Sequence, residues 1–206
     1  MKLRIVAACA GIGLLCSPSS AQLLNFSSHH LLEGNWQGDY RFTEGANDPN
    51  AQLEIRDQSG NLYVWVRSFY TLTAATLTGE NRIRVASAWG AFRRSTKFTL
   101  AEPTQLSFST TRYDFTNPVA LLRTQDGSRT IFDFSNQRSG YFNGVIDPDD
   151  YELLFSGELQ AEGGVEVVQR YSASFTTVPE PASLLAIGFG LFYAGRRKIR
   201  DARWSG

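Results

Sequence analysis

Apolar and polar residues alternate in short runs through the middle of the chain, and β-branched and aromatic residues are frequent in these runs. Seven of the runs are typical of strands: residues 51–57, 61–68, 81–88, 105–112, 129–135, 151–157 and 165–175. None has a helical period. Turn-forming residues separate the runs at 58–61, 79–81, 126–127, 147–150 and 162–164. The pattern predicts an all-β ectodomain over residues 22–177, built as an antiparallel β-sandwich or jelly roll.

The Asp126-Gly127 pair is the strongest local signal among these turns, because both central residues of a tight hairpin must tolerate positive φ. An outer-membrane β-barrel is the alternative all-β architecture. It is disfavoured because the runs are short and irregular and no terminal barrel strand closes the chain.

The N-terminus has the three parts of an export signal. Lys2 and Arg4 are cationic, residues 5–16 are apolar, and small residues lead up to Ala21. The sequence therefore predicts a signal peptide over residues 1–21, cleaved between Ala21 and Gln22. An N-terminal core helix is the alternative, and Pro18 with its neighbouring serines would stop it abruptly.

Cysteine and charge are unevenly distributed. Both cysteines, Cys9 and Cys16, fall in the predicted signal peptide, so we expect neither a disulfide nor a thiolate metal site in the body. The whole chain has 20 cationic and 20 anionic residues, but residues 22–178 have 13 and 18. A mildly acidic body argues against nucleic acid as a partner.

The C-terminal segment is apolar from residue 182 to residue 195, with Ser183 as its one polar residue. As a helix, these 14 residues would be roughly 21 Å long, against about 30 Å for a bilayer core. The cluster Arg196, Arg197 and Lys198 follows directly and would stay cytoplasmic, which leaves the β body outside. We expect a single short transmembrane helix that associates with the membrane at least transiently.

The order of Val178-Pro179-Glu180-Pro181, a glycine-bearing apolar helix and an arginine-rich end resembles the PEP-CTERM protein-sorting signal of exported bacterial proteins. The resemblance covers residues 178–206 and implies processing by an exosortase, a membrane-embedded protease-transpeptidase. It implies that Pro179, Glu180 and Pro181 form the recognition and cleavage motif, and that the basic cluster fixes orientation. Residues 199–206 continue past the point where the family usually ends. A buried C-terminal helix of the β domain is the alternative to a sorting signal.

Residues 95–175 are similar, more weakly, to the β-sandwich ectodomains found ahead of this signal. Such domains mostly have no assigned activity, so this resemblance implies a fold and not a reaction.

Candidate chemistry in the body is sparse. His29 and His30 are adjacent and near the predicted mature N-terminus, where chains are usually poorly ordered. Asp147, Asp149 and Asp150 could offer oxygen ligands to Ca²⁺, although a solvated turn explains them more simply. Paired carboxylates for glycoside hydrolysis are available in number but cannot be placed from one sequence. No nucleophile elbow, zinc-protease motif or phosphate loop occurs. We therefore expect no metal, no cofactor and no enzymatic activity.

Two functions remain open. The favoured one is a non-enzymatic cell-surface or extracellular-matrix protein of a Gram-negative bacterium, sorted by an exosortase and associated with exopolysaccharide or biofilm. The alternative is a carbohydrate-binding β-sandwich module at the cell surface. For the alternative, aromatic side chains would have to form a coplanar exposed platform on one sheet face. The candidates for that platform are Trp36, Trp65, Trp89, Tyr113 and Tyr141.

Overall fold

A computed structural model of the 206-residue chain describes Ala21, residues 23–112 and residues 114–178. Over these residues the chain forms twelve β-strands and no helix. The strands are β1 (Leu23–Trp36), β2 (Asp39–Ala46), β3 (Asn50–Arg56), β4 (Leu62–Leu72), β5 (Thr76–Val85), β6 (Ala88–Leu100), β7 (Thr104–Arg112), β8 (Thr116–Thr124), β9 (Thr130–Asp133), β10 (Ser139–Ile146), β11 (Asp149–Ala161) and β12 (Val165–Thr177).

The strands form two six-stranded sheets. The first sheet has the order β2-β1-β6-β11-β8-β9, and the second has the order β10-β7-β12-β5-β4-β3. Every strand pair is antiparallel. The predicted antiparallel β-sandwich is therefore confirmed for the described part of the chain.

The core lies between the sheets because alternate residues of each strand point inward. Five alternate residues of β12, from Val167 to Phe175, are buried. Aromatic rings join the two layers. Phe98 of the first sheet meets Phe175 of the second edge to face at 5.4 Å between ring centroids, and Phe155 stacks on Tyr171 at 4.1 Å. These contacts hold β6 and β11 against β12.

The interior also contains an arginine. Arg94 of β6 is 0% exposed. Its Nε donates to Ser68 Oγ at 2.7 Å, its Nη2 to the Ser68 carbonyl at 2.9 Å, and its Nη1 to Ser28 Oγ at 3.1 Å. The guanidinium carbon also lies 4.8 Å from the centroid of the Tyr70 ring. Burial lowers the pKa of Arg94, and no carboxylate of the described residues forms an ion pair with it.

Each of the seven predicted strands corresponds to a strand of the structure: β3, β4, β5, β7, β9, β11 and β12. The predicted turn at Asp126-Gly127 does join two antiparallel strands, β8 and β9, but not as a tight two-residue hairpin: the connection covers residues 125–129, and of this pair only Gly127 has positive φ, at 74°. The predicted turn at 79–81 is wrong, because these residues lie inside β5. Gly79 is needed there for packing, since the Tyr171 side chain occupies the space beside its Cα.

Both predicted hydrophobic terminal segments, residues 1–20 and 182–195, lie outside the described residues. Within the part of the chain that the structure describes, no helix is long and apolar enough to cross a bilayer. By contacts between Cα atoms the chain divides into residues 19–177 and a second unit of residues 1–18 with 178–206. The sandwich belongs to the first of these units.

Candidate functional site

The two predicted processing positions border the sandwich. Ala21, before the predicted signal-peptide cut, is 2% exposed, and its amide donates to the Phe175 carbonyl at 3.4 Å. Strand β12 ends at Thr177, directly before the predicted sorting motif. Gln22, the motif Pro179, Glu180 and Pro181, and the cluster Arg196, Arg197 and Lys198 lie outside the described residues, so their roles stay predictions.

The chain enters and leaves the sandwich at the same end. Leu23 at the start of β1 pairs with Leu100 at the end of β6. Thr177 at the end of β12 pairs with Thr104 at the start of β7. Because β6 and β7 are consecutive strands, residues 23 and 177 both lie beside their connection. We call this the terminal end of the sandwich.

The histidines do not form a metal site. They lie in β1, paired on both sides, and not in a loose terminus as expected from their position. As neighbours on a strand they point to opposite faces. His29 pairs with Glu44 at 3.1 Å in solvent, whereas His30 is 2% exposed. Burial, with Arg94 as the next cause, lowers the pKa of His30 and favours its neutral form.

The three aspartates near β11 have separate partners. Asp147 Oδ2 accepts from Arg129 at 2.9 Å, Asp150 Oδ1 accepts from Thr99 Oγ1 at 2.5 Å, and Asp149 Oδ1 accepts from the Asp150 amide. Among the described residues no three His, Cys, Asp or Glu side chains converge as metal ligands. The arrangement is that of a hydrogen-bonded turn.

The five candidate aromatic residues do not form one platform. Trp36 stacks on Tyr63 at 4.0 Å, and Trp65 lies 5.8 Å from the Arg82 guanidinium on the second sheet. Tyr141 is on β10, and Tyr113 is outside the described residues. Trp89 lies on the first sheet. Alternation along separate strands sends these side chains to different faces.

Trp89 instead belongs to a cleft that the sequence did not indicate. The cleft has a volume of about 820 Å³, within the usual range of small-molecule sites. We call it the end cleft. It is lined by Asn35, Gln37, Tyr40, Ser87, Ala88, Trp89, Gln160, Ala161 and Glu162.

Sheet register assembles the end cleft. Tyr40 of β2 pairs with Asn35 of β1, Asn35 pairs with Trp89 of β6, and Trp89 pairs with Gln160 of β11. Directly opposed residues share a sheet face, so these four side chains form one row on the outer face of the first sheet. The next row contains Phe42, Glu33, Ala91 and Glu158.

Three turns complete the end cleft. The two-residue β1–β2 hairpin has Gln37 at φ 50° and Gly38 at φ 85°, which is the backbone of a type I′ turn. This turn brings Gln37 to the rim. Ser87 Oγ, in the β5–β6 turn, donates to the Glu162 carbonyl of the β11–β12 turn at 2.6 Å. The hydrogen bond ties the two turns together beside Trp89.

A hydrogen bond fixes the edge-strand tyrosine. The Tyr40 hydroxyl donates to Glu33 Oε1 in the neighbouring row. This hydrogen bond is the largest cause of a raised pKa of Tyr40. Tyr40 is 50% exposed and Phe42 is 61% exposed, with 6.4 Å between their ring centroids. The two rings are tilted by 34°, so they line the edge without forming a flat surface.

The sequence missed Tyr40 and Asn35 because neither β1 nor β2 was predicted, and it missed Gln160 because the predicted run at 151–157 ends before the last residues of β11. The Gln37-Gly38 step, with Tyr40 and Phe42 alternating just after it, was the available signal for this hairpin.

Comparison with known proteins bears on the C-terminal segment. The family described as the PEP-CTERM protein-sorting motif matches residues 177–198. The match begins at the last residue of β12 and includes both the Pro-Glu-Pro motif and the basic cluster. No curated protein matches the chain. The chain thus carries a PEP-CTERM motif, which indicates exosortase-dependent sorting of an exported protein.

Proposed function

We propose that this protein is a non-enzymatic component of the cell surface or extracellular matrix, released from a transient inner-membrane anchor by exosortase processing and associated with exopolysaccharide. The observation that carries the proposal is the PEP-CTERM motif at residues 177–198, which starts where the last strand of a complete sandwich ends.

The position of the chain ends supports this pathway. The predicted signal peptide would precede Leu23 and the sorting signal follows Thr177, and both residues lie at the terminal end, where the Ala21 amide donates to the Phe175 carbonyl. Two hydrophobic segments that leave a domain at one end can enter the same bilayer without unfolding it. The sandwich can therefore fold outside the membrane before either segment is removed.

Cleavage at the motif would leave the sandwich complete. Strand β12 lies between β7 and β5, and its buried side chains extend to Phe175. Pro179, Glu180 and Pro181 follow this last buried position. Two prolines at these positions would favour an extended backbone, which suits a protease. Arg196, Arg197 and Lys198 would resist translocation and hold the tail on the cytoplasmic side.

Replacing Pro179, Glu180 and Pro181 together with alanine tests the sorting role. In an exosortase-positive Gram-negative host, we expect removal of the signal peptide and accumulation of an uncleaved species in the inner membrane. Intact-mass analysis and membrane fractionation measure both events. The wild-type chain in the same host without its exosortase is the control and should accumulate the same species. Maturation of the triple variant at the wild-type rate would contradict the proposal.

Carbohydrate binding is a second candidate function, and the end cleft is the observation that favours it. Carbohydrate binding is compatible with the proposed sorting pathway, because a carbohydrate-binding module would reach the cell surface through the same exosortase processing.

A further inference from the structure

The end cleft lies at the end of the sandwich opposite the terminal end. Its rim includes the ends of β1 and β11 and the start of β6, whereas the chain enters and leaves beside Leu23 and Thr177. Strand β12 runs from one end to the other with 13 residues, which corresponds to roughly 40 Å. The end cleft and residues 23 and 177 therefore lie at opposite ends of the sandwich.

Trp89 has a ring that the protein leaves without a partner. It is half-buried on the outer face of β6. No aromatic ring or guanidinium of the described residues contacts it, whereas Trp36 stacks on Tyr63 and Trp65 faces Arg82. Tyr40 is two strands away in the same row, which corresponds to about 10 Å between their Cα atoms. These two aromatic side chains therefore lie on either side of Asn35 of β1.

Side-chain amide groups lie between and beside the Tyr40 and Trp89 rings. Asn35 occupies the position between Tyr40 and Trp89, and Gln160 is next to Trp89. Among the described residues no group hydrogen-bonds to the side chains of Gln37 or Gln160. Gln37 and Gln160 each offer two donors and an acceptor, whereas Asn35 Oδ1 already accepts from the Gly38 amide at 3.3 Å and its NH₂ group remains as a donor. Aromatic faces together with unpaired amides suit a ligand that has apolar C–H faces and many hydroxyl groups.

The charge around the end cleft selects among such ligands. Its lining includes Glu162 and no lysine or arginine, and the adjoining row adds Glu33 and Glu158. Carboxylates disfavour a second anion, so uronic acids, sulfated sugars and phosphates are poor ligands here. Neutral sugars have no such penalty.

We propose that the end cleft binds a neutral oligosaccharide segment, with Trp89 and Tyr40 packing against sugar rings and Asn35, Gln37 and Gln160 hydrogen-bonding to hydroxyl groups. This inference rests on carbohydrate binding, the second candidate function, and is independent of exosortase processing. Its failure in a binding experiment would leave the result of the alanine replacement at Pro179, Glu180 and Pro181 unaffected.

Isothermal titration calorimetry on the full-length chain tests the proposal, in a detergent without a sugar headgroup so that the detergent does not compete. The neutral probes are cellohexaose, mannohexaose and chitohexaose, and the acidic probe is hexaguluronate. We expect saturable binding of at least one neutral hexasaccharide and none of hexaguluronate. Failure of all three neutral probes to bind, or equal binding of the acidic one, would overturn the proposal.

Variants locate the site. Trp89→Ala and Tyr40→Ala should each weaken binding about tenfold, since stacking on a sugar face is lost. Trp89→Phe should recover part of the affinity, which distinguishes ring contact from misfolding. The matched control is Tyr141→Ala, which removes a 65% exposed tyrosine from the second sheet and should bind like wild type. Loss of binding in Tyr141→Ala but not in Trp89→Ala would place the site elsewhere.

Discussion

Tyr171 has a polar atom without a polar partner in the middle of the sandwich. The side chain is 4% exposed, its ring stacks on Phe155, and its hydroxyl has no hydrogen-bond partner among the residues that the structure describes. Burial raises the pKa of Tyr171 to about 12. An unpaired buried hydroxyl costs about 1–3 kcal/mol of desolvation, so this residue contributes through its ring and not through its oxygen.

We therefore expect Tyr171→Phe to raise the free energy of unfolding by about 1 kcal/mol in urea denaturation. The matched control is Tyr151→Phe. The Tyr151 hydroxyl donates to the Asp147 carbonyl at 2.8 Å and accepts from Arg129 Nη2 at 3.1 Å. Its removal should lower stability by about 1 kcal/mol. Equal losses in both variants would show that the Tyr171 hydroxyl has a partner.

The same residue gives a pH dependence with a definite sign. The folded-state pKa of about 12 lies above the ordinary value of 10.0, so the folded protein holds the neutral phenol more strongly than the unfolded chain does. The resulting stability is complete below pH 10.0 and is lost as the pH rises toward about 12. Tyr171→Phe should lack this component of alkaline destabilisation in urea titrations across that range.

Strand β5 depends on a glycine at its centre. Gly79 pairs with Tyr70 of β4 on one side and Tyr171 of β12 on the other. A Cβ atom at Gly79 would lie 2.3 Å from the Tyr171 hydroxyl oxygen and 2.5 Å from the Phe69 carbonyl oxygen. The glycine is thus a packing requirement of a central strand, although in the sequence it suggested a turn.

Gly79→Ala should destabilise the protein by about 1–3 kcal/mol, because the backbone carbonyl of Phe69 cannot move away as a side chain could. The control is Gly163→Ala in the β11–β12 turn, where an added Cβ meets no atom within 4 Å. That change should stay within about 0.5 kcal/mol. Thermal and urea unfolding measure the stability of both variants. A neutral Gly79→Ala would mean that β4 and β5 can separate at this point without cost.

Sequence periodicity predicted seven of the twelve strands, including strands that bury a polar residue, such as β12 with Gln169. Five strands were missed: β1, β2, β6, β8 and β10. β6 places Arg94 and Thr96 at inward positions, so its pattern of apolar residues is broken although its geometry is regular. β8 contains Pro118, and β10 contains Gly140 and Gly144, residues that count against strands. Tertiary packing overrides these local preferences, and a single sequence does not reveal it.

The two candidate sites also differ in how far the sequence could predict them. The sorting motif could be predicted because all its parts follow one another along the chain, from Pro179 to Lys198. The end cleft could not be predicted, because Tyr40, Trp89 and Gln160 are far apart in sequence. Only the register of four strands brings them together.

At the scale of the whole molecule, the sandwich separates its chain ends from the end cleft. Leu23 and Thr177 lie at the terminal end, and the end cleft lies at the opposite end. The order of the strands makes this separation, since β1 and β12 both have their outer chain ends at the same side of the body. We therefore expect substitutions in the proposed sorting motif and in the proposed binding site to act independently.

This separation requires that residues 22–177 fold without either terminal segment. We expect that truncated chain to give a β-type circular dichroism spectrum and one cooperative thermal transition, because it retains both sheets and the core between them. Reductant should have no effect, since Cys9 and Cys16 are both absent. Ala21 is lost as well, and with it one buried methyl group and the hydrogen bond to the Phe175 carbonyl, a small loss beside the two sheets that remain.

Shortening the chain to residues 22–170 is the sharper comparison. It removes the second half of β12 with the buried side chains of Tyr171, Ala173 and Phe175. It also leaves β7 and β5 without the strand between them over that length. Loss of two large core side chains typically costs several kcal/mol, comparable with the whole stability of a domain, so this chain should not show a cooperative transition. A dominantly helical spectrum for residues 22–177 would contradict the fold. Cooperative unfolding of residues 22–170 would show that the second half of β12 is dispensable, and would contradict its role as a central strand that must be complete before the sorting motif begins.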